Sequence, residues 1–242
     1  MRILISNDDS INSEAILPLA KWARKLGEVT VVAPKFEQSG KSHSIEIFNP
    51  FEVKKLWEEE GFEGYSLNST PADCVRFAFL GLKREFDLVI SGINKGFNVG
   101  RDINYSGTAA VMFEGANLGA KALALSTTPT SIPHALSKLD EVWEYVQKNK
   151  LFEKNNIYNV NIPKEGEEFV ITKQGGRYFC DVYMELGNDM FLPTGRCIYQ
   201  DSGTLEFDTD AVMKGYISVT PMTLERTNYK VYGELTYLNK DQ

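Results

Sequence analysis

Three short runs, Arg2 to Ser6, Val29 to Ala33 and Asp87 to Ser91, have apolar or β-branched residues on both faces of their centres, which leaves no face for water. A strand that buries both faces belongs to a parallel sheet with helices packed on either side. The sequence between and beyond the runs supplies those helices. Ala15, Leu19, Trp22, Ala23 and Leu26 recur at helical spacing before Gly27 closes the segment. Thr70-Pro71 opens another, with proline in the first turn and Val75, Phe77, Ala78, Leu80 and Leu82 directed to the sheet. Ser106 to Leu118 and His134 to Lys150 read as two more helices, and Lys121 to Ser126 and Ile157 to Ile162 as two more strands. The expected architecture is therefore an open α/β sheet.

Two stretches depart from that alternation. Lys35 to Leu67 reads as a loop followed by a hairpin-like excursion, with Phe48, Phe51, Val53 and Leu56 as packing residues. After Ile162, turn signals at Gly175-Gly176, Gly187-Asn188 and Gly203 predict a β-rich region. Its strands are expected at Gly215 to Pro221 and, with alternating aromatics, at Tyr229 to Leu238.

At 242 residues and 43% hydrophobic content the chain can bury one sizeable core. Its formal net charge of -7 excludes a chain-wide basic field, so neither a nucleic-acid duplex nor an anionic membrane is an expected partner. No apolar run reaches membrane-spanning length and no signal-peptide core precedes Asn7, which leads us to expect a cytoplasmic protein. Cys74, Cys180 and Cys197 are an odd three without a CxxC pair and read as reduced, buried, small apolar residues.

Ligands of open α/β sheets collect beyond the carboxyl ends of the strands. There the chain places Asp8 and Asp9, Ser39, and Asn94. Adjacent aspartates suit Mg²⁺ or Mn²⁺, although Asp-Asp pairs are also ordinary turn and cap residues. Ser39 is a candidate neutral ligand, and the Asn94 carbonyl can complete a metal shell with Lys95 beside it as a point charge for phosphate. Ser106-Gly107-Thr108 opens a helix whose free N–H groups suit a phosphate, while the same residues also serve as a plain helix cap. Ser39-Gly40-Lys41-Ser42 ends like a phosphate loop, but the pattern requires glycine where Lys35 stands. No GxGxxG follows the first strand, which excludes the dinucleotide fingerprint. His43 and His134 are not read as metal ligands.

Six ordered blocks carry a resemblance to a known family. They are NDD at Asn7 to Asp9, VVAPKFEQSG at Val31 to Gly40, STPADCV at Ser69 to Val75, SGINKGFNVGRDINYSGTAAVMFEG at Ser91 to Gly115, NVNIP at Asn159 to Pro163, and DTDAVMKGYISVTPM at Asp208 to Met222. The chain resembles the SurE family of survival-protein nucleotidases. That resemblance implies a Rossmann-like, mostly parallel sheet flanked by helices with a β-rich C-terminal extension. Residues 1–165 are expected to form the metal- and phosphate-binding core, and residues 166–242 a β-rich extension and dimerisation arm completing the same domain.

The resemblance further implies a metal-dependent phosphatase acting on nucleoside 5'-monophosphates, and on 3'-monophosphates, as a homodimer or homotetramer with a swapped C-terminal arm. One divalent ion per subunit, Mg²⁺ or Mn²⁺, is expected on residues matching Asp8, Asp9, Ser39 and Asn94. Asp8 and Asp9 are the expected catalytic residues, with Asp8 as general base or nucleophile. Ser106, Gly107 and Thr108 match the phosphate-binding segment, with Asn98 close by. Ser10 and Ser69 stand where the family has glycine, so positive φ at either would strain the turn. Exopolyphosphatase or broad acid phosphatase activity on the same site is an alternative. A receiver-like signalling module is a second, but it needs an aspartate after the third strand, where the chain presents Ser91-Gly92.

Overall fold

A computed structural model of the chain describes residues 1–239. In chain order the elements are β1 (Arg2–Ser6), α1 (Ile16–Ala23), β2 (Glu28–Pro34), β3 (Val53–Glu59), β4 (Phe62–Leu67), α2 (Pro71–Arg76), β5 (Leu88–Lys95) and α3 (Gly107–Asn117). They continue with β6 (Lys121–Thr127), α4 (Ile132–Ser137), α5 (Leu139–Lys148), α6 (Leu151–Lys154), β7 (Ile157–Ile162), β8 (Phe169–Ile171), β9 (Phe179–Gly187), β10 (Met190–Cys197), α7 (Asp208–Met213), β11 (Ile217–Pro221) and α8 (Tyr229–Leu235). A π-helical turn, Phe77–Gly81, extends α2, and a 3-10 helix, Gly100–Tyr105, precedes α3.

Nine strands join one sheet in the order β3-β4-β2-β1-β5-β6-β7-β11-β8. Pairing is parallel from β4 through β7. The outer strand β3 is antiparallel to β4, and β11 is antiparallel to β7 while pairing in parallel with β8. The result is the expected mostly parallel sheet flanked by helices. Beyond residue 165, β8 and β11 extend that sheet, and only β9 and β10 form a separate antiparallel ribbon.

The period-two alternation of strand side chains divides the core into two layers. Ile3 and Ile5 of β1, with Val29 and Val31 of β2, pack under α1, α4 and α5. Leu4, Val32 and Val89 point the other way, toward α2 and α3. One charged residue in the middle of β1 would therefore disrupt one layer outright, at a cost of several kcal/mol, as roughly estimated for an unpaired buried ion.

Helix α2 begins where its sequence dictates. The Thr70 hydroxyl accepts from the Asp73 N–H at 3.1 Å, and Asp73 Oδ2 in turn receives the hydroxyls of Thr70 at 3.0 Å and Ser69 at 2.5 Å. Pro71 fills the first helical position, where no N–H is needed.

Four expectations need correction. Tyr229 to Leu238 is not a strand: α8 and a 3-10 turn, Thr236–Asn239, occupy it, and none of the α8 residues is buried. His134 to Lys150 is two helices, broken at Lys138, whose largely buried ammonium pairs with Glu141 at 3.0 Å and Glu167 at 2.7 Å. Phe48 does not pack, being 87% exposed, and Leu56 and Leu80 are also exposed. Only Cys74 is buried, where burial pushes its thiol pKa well up, while Cys180 is half-buried and Cys197 exposed.

Candidate active site

The chain order of the sheet places the site. After β1 the chain turns outward through α1 to β2, and after α2 it crosses back to lay β5 on the other side of β1. The helices after β1 and β5 thus leave on opposite faces, opening a crevice at the strands' carboxyl ends. Ser6 and Ser91 are register partners at its floor. Asp8 and Asp9 lie two and three residues beyond Ser6. Asn94 lies three beyond Ser91, at the end of β5, where one extra residue on β5 shifts the register between Ser91 and Asn94. Such bulges re-aim side chains at functional rims.

Asp8 is almost fully buried. Its Oδ1 accepts the Thr108 hydroxyl at 2.6 Å, and the N–H groups of Gly107 and Thr108 face the same carboxylate, so the positive end of α3 is turned toward Asp8. Burial raises the Asp8 pKa, against the pull of these donors. Asp9 accepts the Lys95 N–H at 3.1 Å. Burial, followed by the Asp8 charge beside it, pushes the Asp9 pKa up to about 6.

Ser39 reaches the crevice on an exposed loop that is tied back to it. The Gln38 N–H donates to the Asp8 carbonyl at 2.8 Å. The Ser39 hydroxyl donates to Glu37 Oε1 at 2.7 Å, leaving its oxygen lone pairs for another partner. The same loop is anchored farther on by His43, which meets the buried carboxylate of Glu114 at 2.9 Å, itself held by Arg76 at 3.0 Å. Burial would raise the Glu114 pKa, but the His43 and Arg76 contacts outweigh it and hold the carboxyl low. Asn94 donates its amide to the Gly96 carbonyl at 2.8 Å, which frees its side-chain oxygen.

The Ser106 hydroxyl accepts from the Ala109 N–H at 2.9 Å and so caps α3. Asn98 is buried, its amide donating to Ser126 Oγ at 2.9 Å. Lys95 is exposed, its ammonium 3.3 Å from Glu14. The structure thus gathers Asp8, Asp9, Asn94, Lys95, Gly107 and Thr108 at the crevice, with Ser39 and Ser106 on segments tied to it, while the Asn98 side chain points inward.

Sequence reasoning missed the residues that hold the Asn98 loop. Asn161 receives the Asn98 N–H at 2.8 Å and donates to the Asn98 carbonyl at 3.0 Å, and Asn159 donates to that carbonyl at 2.8 Å. Asp208 receives the N–H groups of Gly100 at 3.0 Å and Gly175 at 2.8 Å, and burial raises its pKa. The signal was present: asparagines two apart in an otherwise apolar strand share one buried face and need partners.

A divalent metal fits this donor set. Two adjacent carboxylates, one buried and one half-buried, have no ion-pair partner among the described residues, and desolvating such charges costs several kcal/mol unless a cation meets them. Among the described residues no three His, Cys, Asp or Glu side chains gather at metal-binding spacing. The candidate shell is therefore two carboxylates completed by the neutral oxygens of Ser39 and Asn94, a hard, oxygen-only set.

Of the two departures at glycine positions, Ser10 has φ +84° and Ser69 does not fall in the positive region. A non-glycine residue there costs about 1–2 kcal/mol, offset by roughly 0.4–1 kcal/mol of extra chain freedom on changing to glycine. Ser10→Gly is expected to raise the melting temperature, through a net gain of roughly 0.5–1 kcal/mol. A lowered melting temperature would show that the serine's own contacts outweigh its backbone strain.

Comparison with known proteins places this geometry among relatives. The family described as Survival protein SurE matches residues 3–181. A 5'-nucleotidase SurE of Petrotoga mobilis is 36% identical over 247 residues, covering 97% of this chain and 98% of that protein. Another from Legionella pneumophila is 36% identical, covering 98% and 97%. A crystal structure of SurE protein from Aquifex aeolicus superposes with a TM-score of 0.79 at 32% identity, covering 99% of this chain and 100% of that one. No described helix is long and apolar enough to cross a membrane.

Proposed function

The chain belongs to the SurE family, and from that premise we propose that it is a 5'-nucleotidase, a divalent-metal-dependent phosphatase that releases phosphate from nucleoside 5'-monophosphates and also accepts 3'-monophosphates. The observation that carries this reading is that Asp8, held against the positive end of α3, and Asp9 beside it have no ion-pair partner among the described residues. A carboxylate pair beside a helix N-terminus suits a cation on the carboxylates and a phosphate at the helix end.

Asp8, Asp9, Ser39 and Asn94 would hold one Mg²⁺ or Mn²⁺ per subunit. That ion supplies Lewis-acid stabilisation of phosphoryl charge and a more acidic water. The chain's own residues do the rest. Thr108 fixes the Asp8 carboxylate through Oδ1 and so holds the side chain in one orientation. Asp8 serves as general base or nucleophile, and Asp9 chiefly as a ligand. At the start of α3 the Ser106 oxygen accepts the Ala109 N–H and its hydroxyl hydrogen is left for a phosphate oxygen, while Gly107 and Thr108, whose N–H groups face Asp8, keep the positive end of α3 beside it, where fixed dipoles stabilise developing charge. Lys95 adds a positive charge at the rim, where it also pairs with Glu14, and Asn98 keeps the connecting loop in register.

Phosphate release from 5'- and 3'-monophosphates, polyphosphate and glycerol 2-phosphate tests this reading. Nucleoside monophosphates are expected to give the highest kcat/KM, and a preference for polyphosphate would replace the nucleotidase reading with that of an exopolyphosphatase.

We further propose that the protein works as a homodimer or homotetramer. The β9–β10 ribbon exposes Tyr183, Leu186, Phe191 and Leu192, and α8 exposes Tyr229, Tyr232 and Leu235. Apolar surface on two projecting elements calls for a second copy to cover it. Light scattering is expected to return at least twice the chain mass, and an active monomer at micromolar concentration would refute the assembly.

A further inference from the structure

The loop that brings Ser39 to the crevice is fixed at several points, yet nothing in its backbone decides where the serine hydroxyl points. At its start the Ile11 N–H donates to the Pro34 carbonyl at 2.8 Å and the Lys35 N–H to the Leu67 carbonyl at 2.6 Å. In the middle the Gln38 N–H holds the Asp8 carbonyl. Farther on, the Ser42 N–H donates to the Tyr105 carbonyl at 3.0 Å and the Ser42 hydroxyl to the Asn104 carbonyl at 2.6 Å. The Ser39 main chain is thereby located beside Asp8. A serine hydroxyl, however, is a rotor with one hydrogen and two lone pairs, and a cation can take the lone pairs only when the hydrogen is turned away.

One side chain holds that hydrogen. The Ser39 hydroxyl donates to Glu37 Oε1 at 2.7 Å, and among the described residues neither side chain has another hydrogen-bond partner. Glu37 is exposed and forms no ion pair among the described residues, while Lys35 on the same loop pairs with Glu52 at 3.0 Å and Lys95 at the rim with Glu14 at 3.3 Å. The Glu37 charge is nevertheless felt at Asp9, where it adds, after burial and the Asp8 charge, to the upward push on the pKa. An exposed carboxylate free to turn to water thus stands close enough to the aspartate pair to repel it, a placement that becomes favourable when a cation lies among them.

We propose that Glu37 is a positioning residue of the metal site: it holds the Ser39 hydrogen away from the ion, leaves the oxygen lone pairs for it, and by its charge makes that oxygen a stronger ligand. The assignment rests on the divalent-metal reading above and explains how a neutral hydroxyl on an exposed loop becomes a dependable donor. Outer partners of this kind orient a ligand and raise its basicity, and losing one costs about 10- to 100-fold in metal affinity. Glutamine at position 37 is a poor substitute. Its carbonyl accepts without a charge, and its NH₂ group can turn round to occupy a Ser39 lone pair.

The test is Mn²⁺ binding to substrate-free protein, followed by loss of the free-ion electron paramagnetic resonance signal, in wild type, Glu37→Gln, Ser39→Ala and the double variant. Glu37→Gln is expected to raise the Mn²⁺ Kd about tenfold or more. The melting temperature of the metal-free protein should stay close to that of wild type, because the side chain is exposed. In the Ser39→Ala background the same change is expected to alter Kd by less than about twofold, since the effect travels through a hydroxyl that is no longer there. An equally large loss in both backgrounds would overturn the proposal and make Glu37 a ligand or a general charge in its own right. An unchanged Kd for Glu37→Gln, where the wild type binds Mn²⁺, would overturn it while leaving the metal reading intact. A wild type that binds no Mn²⁺ would overturn both.

Discussion

Asp8→Asn and Asp9→Asn are each expected to lower kcat/KM for a nucleoside monophosphate by roughly 100-fold or more, about 2.7 kcal/mol of transition-state stabilisation. Asparagine keeps the shape of either side chain, so the loss is of charge and of one acceptor oxygen. In the metal-free protein the same substitutions are expected to raise the melting temperature. Burial raises the pKa of both carboxylates, and the Asp8 charge adds to the shift at Asp9, so removing one charge relieves that cost. Opposite signs for stability and activity identify a site whose charge is kept for a ligand. Folded variants with near-wild-type turnover at limiting metal would contradict this assignment. A lower melting temperature would instead make the aspartates structural.

Gly107→Ala is expected to have the second largest effect, although by helix propensity alone the change should help by up to about 1 kcal/mol. The added methyl group would stand 2.7 Å from Asp8 Cβ, 2.8 Å from Asp8 Oδ2 and 3.0 Å from Pro71 Cγ. Asp8 cannot yield freely, being fixed by the Thr108 hydroxyl on one side and by the Gln38 N–H on its carbonyl on the other. A displacement of a few tenths of an ångström to an ångström at a reacting carboxylate costs roughly 10- to 100-fold in rate. The expected outcome is therefore a large fall in kcat with a melting temperature changed far less than the activity. Full activity in a folded Gly107→Ala protein would mean that the Asp8 position is not critical.

These outcomes depend on features that differ in how plainly the sequence carries them. The central strands were readable because burial on both faces leaves a continuous apolar run, and the polar residues that interrupt it, Asp8, Asp9 and Asn94, fall at the mouth of the sheet for the same reason. The fate of the C-terminal segment was not readable. Burial writes periodicity into a sequence, and α8 buries nothing among the described residues, so Tyr229, Val231, Leu235 and Tyr237 fit a strand period as readily as Tyr229 and Tyr232 fit a helical one. The break at Lys138 was hidden because the apolar residues Leu136, Leu139 and Val142 keep their spacing across it. The supports of the crevice were hidden differently. His43, Glu114 and Arg76 lie on three separate segments, and no local pattern announces that a loop, α2 and α3 will meet in one buried carboxylate. The strain at Ser10 was anticipated only as a condition on φ, which the backbone meets at Ser10 and not at Ser69.

The most direct test of the metal-assisted reading is phosphate release from AMP and GMP by protein first dialysed against EDTA and then supplied with single ions. With only oxygen donors, two of them neutral, the site should bind its ion weakly enough to be stripped and should favour hard cations. Activity is expected to vanish in EDTA and to return with Mg²⁺ or Mn²⁺. Full hydrolysis in excess EDTA, or stoichiometric Zn²⁺ retained through dialysis, would contradict the oxygen-only site formed by Asp8, Asp9, Ser39 and Asn94.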